Sequence, residues 1–195
     1  MTEVFTEKLV IRGGSIAAGH GVKQGYAEIL MDMLKPRGIN VINVSRFQDN
    51  SFDGVWSFPT DIEPHCPENL LIHFGIDDTF FPVYRSEFKE NLVLMVRRAR
   101  RLFSSRIFLA TSHTFDDPYD MESVNIFYRV IREVSLDLQC TMIPVHTYWA
   151  GYLQDKGLTN KDLVLTDTRY PNEIGHRVYA DVIMNHLDSM NSLPG

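Results

Sequence analysis

Leu9-Val10-Ile11-Arg12-Gly13-Gly14-Ser15-Ile16-Ala17-Ala18-Gly19-His20-Gly21 is the stretch on which the reading of this chain turns. An apolar run breaks into a glycine-rich turn with one serine, and helical spacing follows from Tyr26 to Leu34. Strand, turn and helix in that order present a serine hydroxyl at the end of the strand. A helix N-terminus beyond it can stabilise negative charge. A phosphate loop has the same outline. Gly14 and Gly19 have the four-residue gap of G-x-x-x-x-G-K-[ST], but His20 and Gly21 stand where the lysine and the magnesium-binding hydroxyl belong. The dinucleotide fingerprint G-x-G-x-x-G does not fit the glycines either. The serine is the better candidate.

Further strand-like runs follow at steady intervals: Ile39 to Val44, Leu70 to Phe74, Ile107 to Ala110 and Thr141 to Val145. Between them lie helical stripes. Tyr26, Ile29, Leu30, Met33 and Leu34 form the first, closed by Pro36 and Gly38; Leu92 to Phe103 and Val124 to Val134 form the next two. The last helix runs from Glu173 to Leu187, with Asn172 as its N-cap. Short, continuously apolar strands alternating with helices indicate a mostly parallel five-stranded sheet covered on both faces. The fold class is therefore α/β, a flavodoxin-like three-layer sandwich, and residues 1–195 read as one domain. Val44 to Asn69 is different: polar, broken by Pro59, Pro64 and Pro67, with a short helix near Trp56. Long connections of this kind in compact domains are often functional.

Ligands of open parallel sheets bind beyond the carboxyl ends of the strands. The rim is then expected at Ser15, the Asn43 to Ser51 loop, Gly75 to Asp78, Thr111 to Asp117 and His146 to Trp149, with Phe80-Phe81-Pro82 and Tyr148-Trp149 as candidate cleft walls. A net charge of −6 argues against general nucleic-acid binding. No apolar run approaches the roughly 20 residues of a membrane span. Met1 to Lys8 carries charges throughout, unlike a signal peptide. With Cys66 and Cys140 as its two cysteines, the chain reads as cytoplasmic with reduced thiols. Asp77-Asp78, His113 near Asp116-Asp117 and His65-Cys66 lack metal-ligand spacing, so neither metal nor cofactor is expected. Arg97-Arg98-Ala99-Arg100-Arg101 alternates with apolar helix positions and reads as a solvated face before a partner site.

From end to end the block order resembles the SGNH, or GDSL, hydrolase superfamily. Its opening G-D-S is matched by Gly13-Gly14-Ser15, and its closing D-x-x-H-P-N with a later G-H by Asp167-Thr168-Arg169-Tyr170-Pro171-Asn172 with Gly175-His176. The resemblance implies that Ser15 is the nucleophile and that Asp167 supports a base three residues later. That base position holds Tyr170, and a phenol of pKa about 10 is a poor base at neutral pH. The second block, N-x-x-x-x-G-x-T-S, retains Asn43 and Ser51 but has Gln48 for the oxyanion-hole glycine. The third, G-x-N-D, is Gly75-Ile76-Asp77-Asp78, so a carboxylate replaces the amide that would donate to an oxyanion. His113 and His146, both on the rim, and His20 are candidates for a relocated base; His73 and His176 read as structural. Two functions remain open. One is a weak serine ester hydrolase acting on a small-molecule or glycan acyl ester. The other is a catalytically inactive relative that binds a carbohydrate, an acylated ligand or a protein partner.

Overall fold

The computed structural model describes residues 5–81 and 83–191, with side chains through Ser189. Residues 1–4 of the charged Met1 to Lys8 stretch, and Pro82 of the Phe80 to Pro82 cluster, lie outside the described residues.

Five parallel strands form one sheet in the order β2-β1-β3-β4-β5. They are β1 (Glu7–Gly13), β2 (Ile39–Asn43), β3 (Asn69–His73), β4 (Arg106–Ala110) and β5 (Thr141–Ile143). β1 lies between β2 and β3, with Ile11 opposite both Asn43 and Leu71. The strand order reverses at β1, so the crevice beyond its carboxyl end is the binding position of a doubly wound sheet. Ser15 follows β1 and Asp77 follows β3, which puts them on the two sides of that crevice. The three-layer α/β/α architecture expected from the periodicity is the one observed.

The helices are α1 (Tyr26–Leu34), α2 (Ser51–Trp56), α3 (Phe58–Asp61), α4 (Ile76–Phe80), α5 (Arg85–Leu102), α6 (Pro118–Asp137), α7 (Val145–Lys156), α8 (Asn160–Leu163) and α9 (Glu173–Asn191). One group packs α5 on α2 and α6, the other packs α9 on α1 and α7. Asn172 caps α9 as expected, its Oδ1 accepting from the N–H of Ile174 at 2.9 Å and of Gly175 at 3.0 Å. Four helices go beyond the sequence reading: α3, which follows α2 across Ser57, and α4, α7 and α8. α7 begins at Val145, where the fifth strand was expected to end, so His146 sits in a helix's first turn. Only Val145 and Trp149 of α7 are buried, too few to mark a stripe in the sequence. α4 and α8 are a turn or so long and fall inside segments that read as loops.

Buried Arg12 interrupts the apolar core of β1. Its guanidinium donates to Asp49 at 2.5 Å, to the Ser57 hydroxyl at 2.9 Å and to the Gly13 carbonyl at 2.9 Å, and it lies 3.6 Å from Asp61. A buried charge is tolerable only when it is paired and hydrogen-bonded. Here the partners all come from the polar 44–69 connection or from the strand itself. Arg46 closes the cluster with a two-armed bond to Asp61, which holds that carboxyl down at about 2. The long connection is thereby pinned against the end of β1.

Candidate active site

Ser15 is buried in the turn after β1. The turn closes through Ala18 N–H to Gly14 O at 2.9 Å and His20 N–H to Ser15 O at 3.1 Å, and Gly19 takes a left-handed φ of 70°. The chain therefore doubles back at Gly19. His20 stacks on Phe47 with ring centroids 3.9 Å apart and meets Tyr170 edge-on at 4.8 Å.

The Ser15 hydroxyl donates to Asp77 Oδ1 at 2.6 Å and accepts from the Gln48 N–H at 2.9 Å. Ser15 N–H donates to Asp77 Oδ2 at 2.7 Å. The Tyr170 phenol approaches the same hydroxyl, and burial raises its pKa above the ordinary tyrosine value. Burial likewise raises Asp77, against the lowering effect of its bonds from Ser15 and of the nearby Arg169 charge. Gly14 makes this arrangement possible. A Cβ there would fall 2.1 Å from Asp77 Oδ2 and 2.3 Å from the Asp49 carbonyl oxygen.

The two N–H groups expected to hold an oxyanion are thus engaged in the resting protein. A transition-state oxyanion would sit about 2.7–3.1 Å from its donors, and Asp77 Oδ2 already stands at that distance from Ser15 N–H. An ionised carboxylate in the hole repels the charge that acyl transfer develops. Gln48, at the position where the family has glycine, keeps a left-handed φ of 64°. The turn survives the substitution, and its N–H still points at Ser15.

The remaining candidates have other partners. Asn43 joins two loops: its Nδ2 donates to the Ala17 carbonyl at 2.9 Å and its Oδ1 accepts from Ser45 N–H at 3.1 Å. Asp167 is held by Arg169, whose guanidinium bonds it at 2.5, 2.9 and 3.1 Å, and this keeps the carboxyl below its usual range. His113 is buried with both ring nitrogens used, at 3.0 Å from the Tyr179 hydroxyl and 3.0 Å from the Thr168 carbonyl. His146 bonds the Thr111 hydroxyl at 2.8 Å and stacks on Tyr128. Neither is hydrogen-bonded to Ser15, so the structure does not bring the expected replacement bases to the nucleophile. Both are lowered by burial. Among the three candidate histidines, His20 is the one in contact with Tyr170.

Arg169 was not singled out in the sequence. Besides gripping Asp167, it lies over the rings of Phe80 and Tyr170, 5.5 and 5.3 Å from their centroids. Its signal was present: a cation two residues from the family's supporting aspartate. Asp78, adjacent to Asp77, is structural. It accepts from Ser51 N–H at 2.9 Å and Gly75 N–H at 3.0 Å, while burial raises it to about 6. No group of three or more potential metal ligands occurs among the described residues.

Comparison with known proteins adds an independent line. A sequence model of the GDSL-like Lipase/Acylhydrolase family matches residues 12–178. An arylesterase from Vibrio mimicus is 31% identical over 77 residues, a match covering 37% of this chain and 38% of that protein. Among solved structures, Axe2, an acetylxylan esterase from Geobacillus stearothermophilus, superposes with a TM-score of 0.82 at 20% identity over 95% of both chains. LAE5, an alpha/beta hydrolase enzyme from the metagenome of Lake Arreo, gives 0.80 at 21% identity over 93% of this chain and 95% of its own. At these identities the structural likeness is one of fold. Catalytic mutants of Axe2 have been solved at a serine, an aspartate and a histidine.

Proposed function

This chain belongs to the GDSL-like lipase/acylhydrolase family, and on that premise we propose that it is a member whose hydrolytic centre is closed and which acts by binding a carbohydrate or acylated ligand at the retained rim. The observation that carries the reading is the double hold of Asp77 on Ser15, at 2.7 Å to the N–H and 2.6 Å to the hydroxyl. It removes an oxyanion donor and puts negative charge where negative charge must develop. Loss of one such donor costs about 10²–10³ in rate, and the usual imidazole is missing as well. The stacked His20-Phe47 pair and the Arg169-Asp167 pair supply an aromatic surface and polar groups, the combination that suits a sugar ring. Free Cys66 and Cys140 suit a reducing, cytoplasmic setting. Among the described residues no helix is long and apolar enough to cross a membrane. The acidic net charge favours neutral ligands over nucleic acid.

The test pairs chemistry with binding. At pH 7.5 the protein is expected to leave p-nitrophenyl acetate at the buffer rate and to take no fluorophosphonate label on Ser15. A panel of acetylated and plain xylo-oligosaccharides is expected to raise its melting temperature. Turnover abolished by Ser15→Ala would overturn the closed-site reading.

The 2.6 Å contact favours one second reading, in which Asp77 itself takes the Ser15 proton as base. That route requires Ser15-dependent turnover that also vanishes in Asp77→Asn. The closed-site reading predicts the opposite sign for that variant.

A further inference from the structure

The arginine run that read as a solvated face borders a cavity away from Ser15. We propose that the groove between α2–α3 and α5 is a binding site for an amphipathic carboxylate, an acyl chain with an anionic head. The groove has a volume of about 390 Å³, with Val55, Phe58 and Leu94 on its floor and Arg97, Arg98 and Arg101 along its edge. That size falls within the range of small-ligand sites, about 300–1,000 Å³.

The floor and the edge each need an explanation. Leu94, in the apolar lining of the groove, is 47% exposed in the middle of α5. Apolar surface of this kind beside a cavity is unspent burial. Arg98 is committed: its Nε donates to Glu63 at 2.6 Å and its guanidinium covers the Phe58 ring at 5.2 Å. Arg97 and Arg101, one helical turn apart, make no ion pair with the described residues. Like charges at this spacing repel. The helix dipole rewards cations in the last turn, where Arg100 and Arg101 stand. It does not account for an apolar floor beside them, nor for Arg97 a turn earlier. A cationic edge on a chain of net charge −6 runs against the overall field and is complementary to an anion. A bare anion would leave the floor open, and a neutral chain would leave the guanidinium groups unpaired. A molecule with both parts meets both requirements. This site does not depend on whether Ser15 reacts.

The experiment is a calorimetric titration of the full chain with decanoate, 1-decanol and acetate, each below its aggregation limit. Decanoate is expected to saturate one site, with the alcohol and acetate at least tenfold weaker. Arg97→Gln with Arg101→Gln should weaken decanoate tenfold or more while leaving the melting temperature of the free protein unchanged, since both side chains are exposed. Leu94→Glu should abolish binding. Equal affinity for decanol would reduce the groove to an apolar patch, and equal affinity for acetate would reduce it to a cation patch. An unaffected double variant, or no saturation by decanoate, would equally overturn the proposal.

Discussion

Gly14 and Asp77 occupy one space: a Cβ on the glycine would lie 2.1 Å from Oδ2 of the aspartate. The family carries a carboxylate beside the serine and an amide in the third block. This chain has the carboxylate in the third block and nothing at the other position. The two departures, independent in sequence, are a single exchange in space. The result is a carboxylate that reaches both the N–H and the hydroxyl of Ser15.

A double-mutant cycle measures that exchange. Gly14→Ala alone is expected to destabilise the fold by about 1–3 kcal/mol through overpacking. Asp77→Ala empties the contested volume, so the double variant should recover part of that loss. A coupling energy of about 0.5–3 kcal/mol, read from urea midpoints, is the expected outcome. Additive losses would mean that the Asp49 carbonyl alone, 2.3 Å from the same Cβ, sets the restriction.

Restoring activity needs more than restoring the two polar signature residues. Tyr170→His supplies an imidazole and Asp77→Asn clears the charge from the oxyanion hole. Asp167, however, remains gripped by Arg169 through bonds of 2.5, 2.9 and 3.1 Å. Adding Arg169→Ala should therefore raise kcat/KM for p-nitrophenyl acetate beyond the Asp77→Asn, Tyr170→His pair. Hydrolysis about 10²-fold above the buffer rate is expected for the triple variant, the scale of one oxyanion donor. If the pair and the triple are equally active, the Asp167-Arg169 pair does not restrain the base.

Gln48 holds a left-handed backbone where the family places glycine. For an L-residue that conformation costs about 1–2 kcal/mol. Gln48→Gly should raise the melting temperature, partly offset by the greater freedom glycine gives the unfolded chain. The N–H at this position is kept, so its bond to Ser15 should persist, visible as retained hydrogen-exchange protection of that amide. A fall in melting temperature would show that the glutamine side chain contributes more than its backbone costs.

The fold was legible because burial writes itself into the sequence. β1 and β3 are buried at nearly every position and show in the sequence through the short apolar runs Leu9 to Ile11 and Leu70 to Ile72, and α5, α6 and α9 carry stripes at helical spacing. α7 was lost because it buries two residues of twelve. In the site, Ser15, Gln48, Asp77 and Tyr170 were identified by their places in the motif blocks, and these four come together. Strand order places His113 and His146 on the rim without saying which way burial turns their rings. His113 points into the core toward Tyr179, whereas His20 is carried back by the turn at Gly19. The Gly14-Asp77 exchange was not legible either, since proximity between residues so far apart in the chain is a property of the folded sheet.

Three buried histidines make the fold sensitive to acid. His73 bonds the Tyr26 hydroxyl at 3.0 Å and the Ser112 hydroxyl at 3.1 Å, and burial lowers it to about 3. His113 and His176 are each lowered to about 4 by the same cause. His176 accepts the Tyr26 N–H at 3.2 Å, tying α9 to the start of α1, and its other nitrogen is buried without a partner. Between pH 6.5 and about 4 the unfolded chain protonates these rings and the folded chain does not, so stability falls as pH falls. Each ring contributes up to about 1.4 kcal/mol per pH unit in that window. Asp78, raised to about 6, and Asp77, also raised, act in the opposite direction over part of it. Three rings against two carboxyls leave a net loss, to be seen as a urea midpoint that drops between pH 6.5 and 4.5. His176→Gln keeps an acceptor for the Tyr26 N–H while removing one titrating ring. Its midpoint should fall less steeply across that window, by about one proton's worth of slope; an unchanged slope would exclude His176 as one of the acid-sensitive groups.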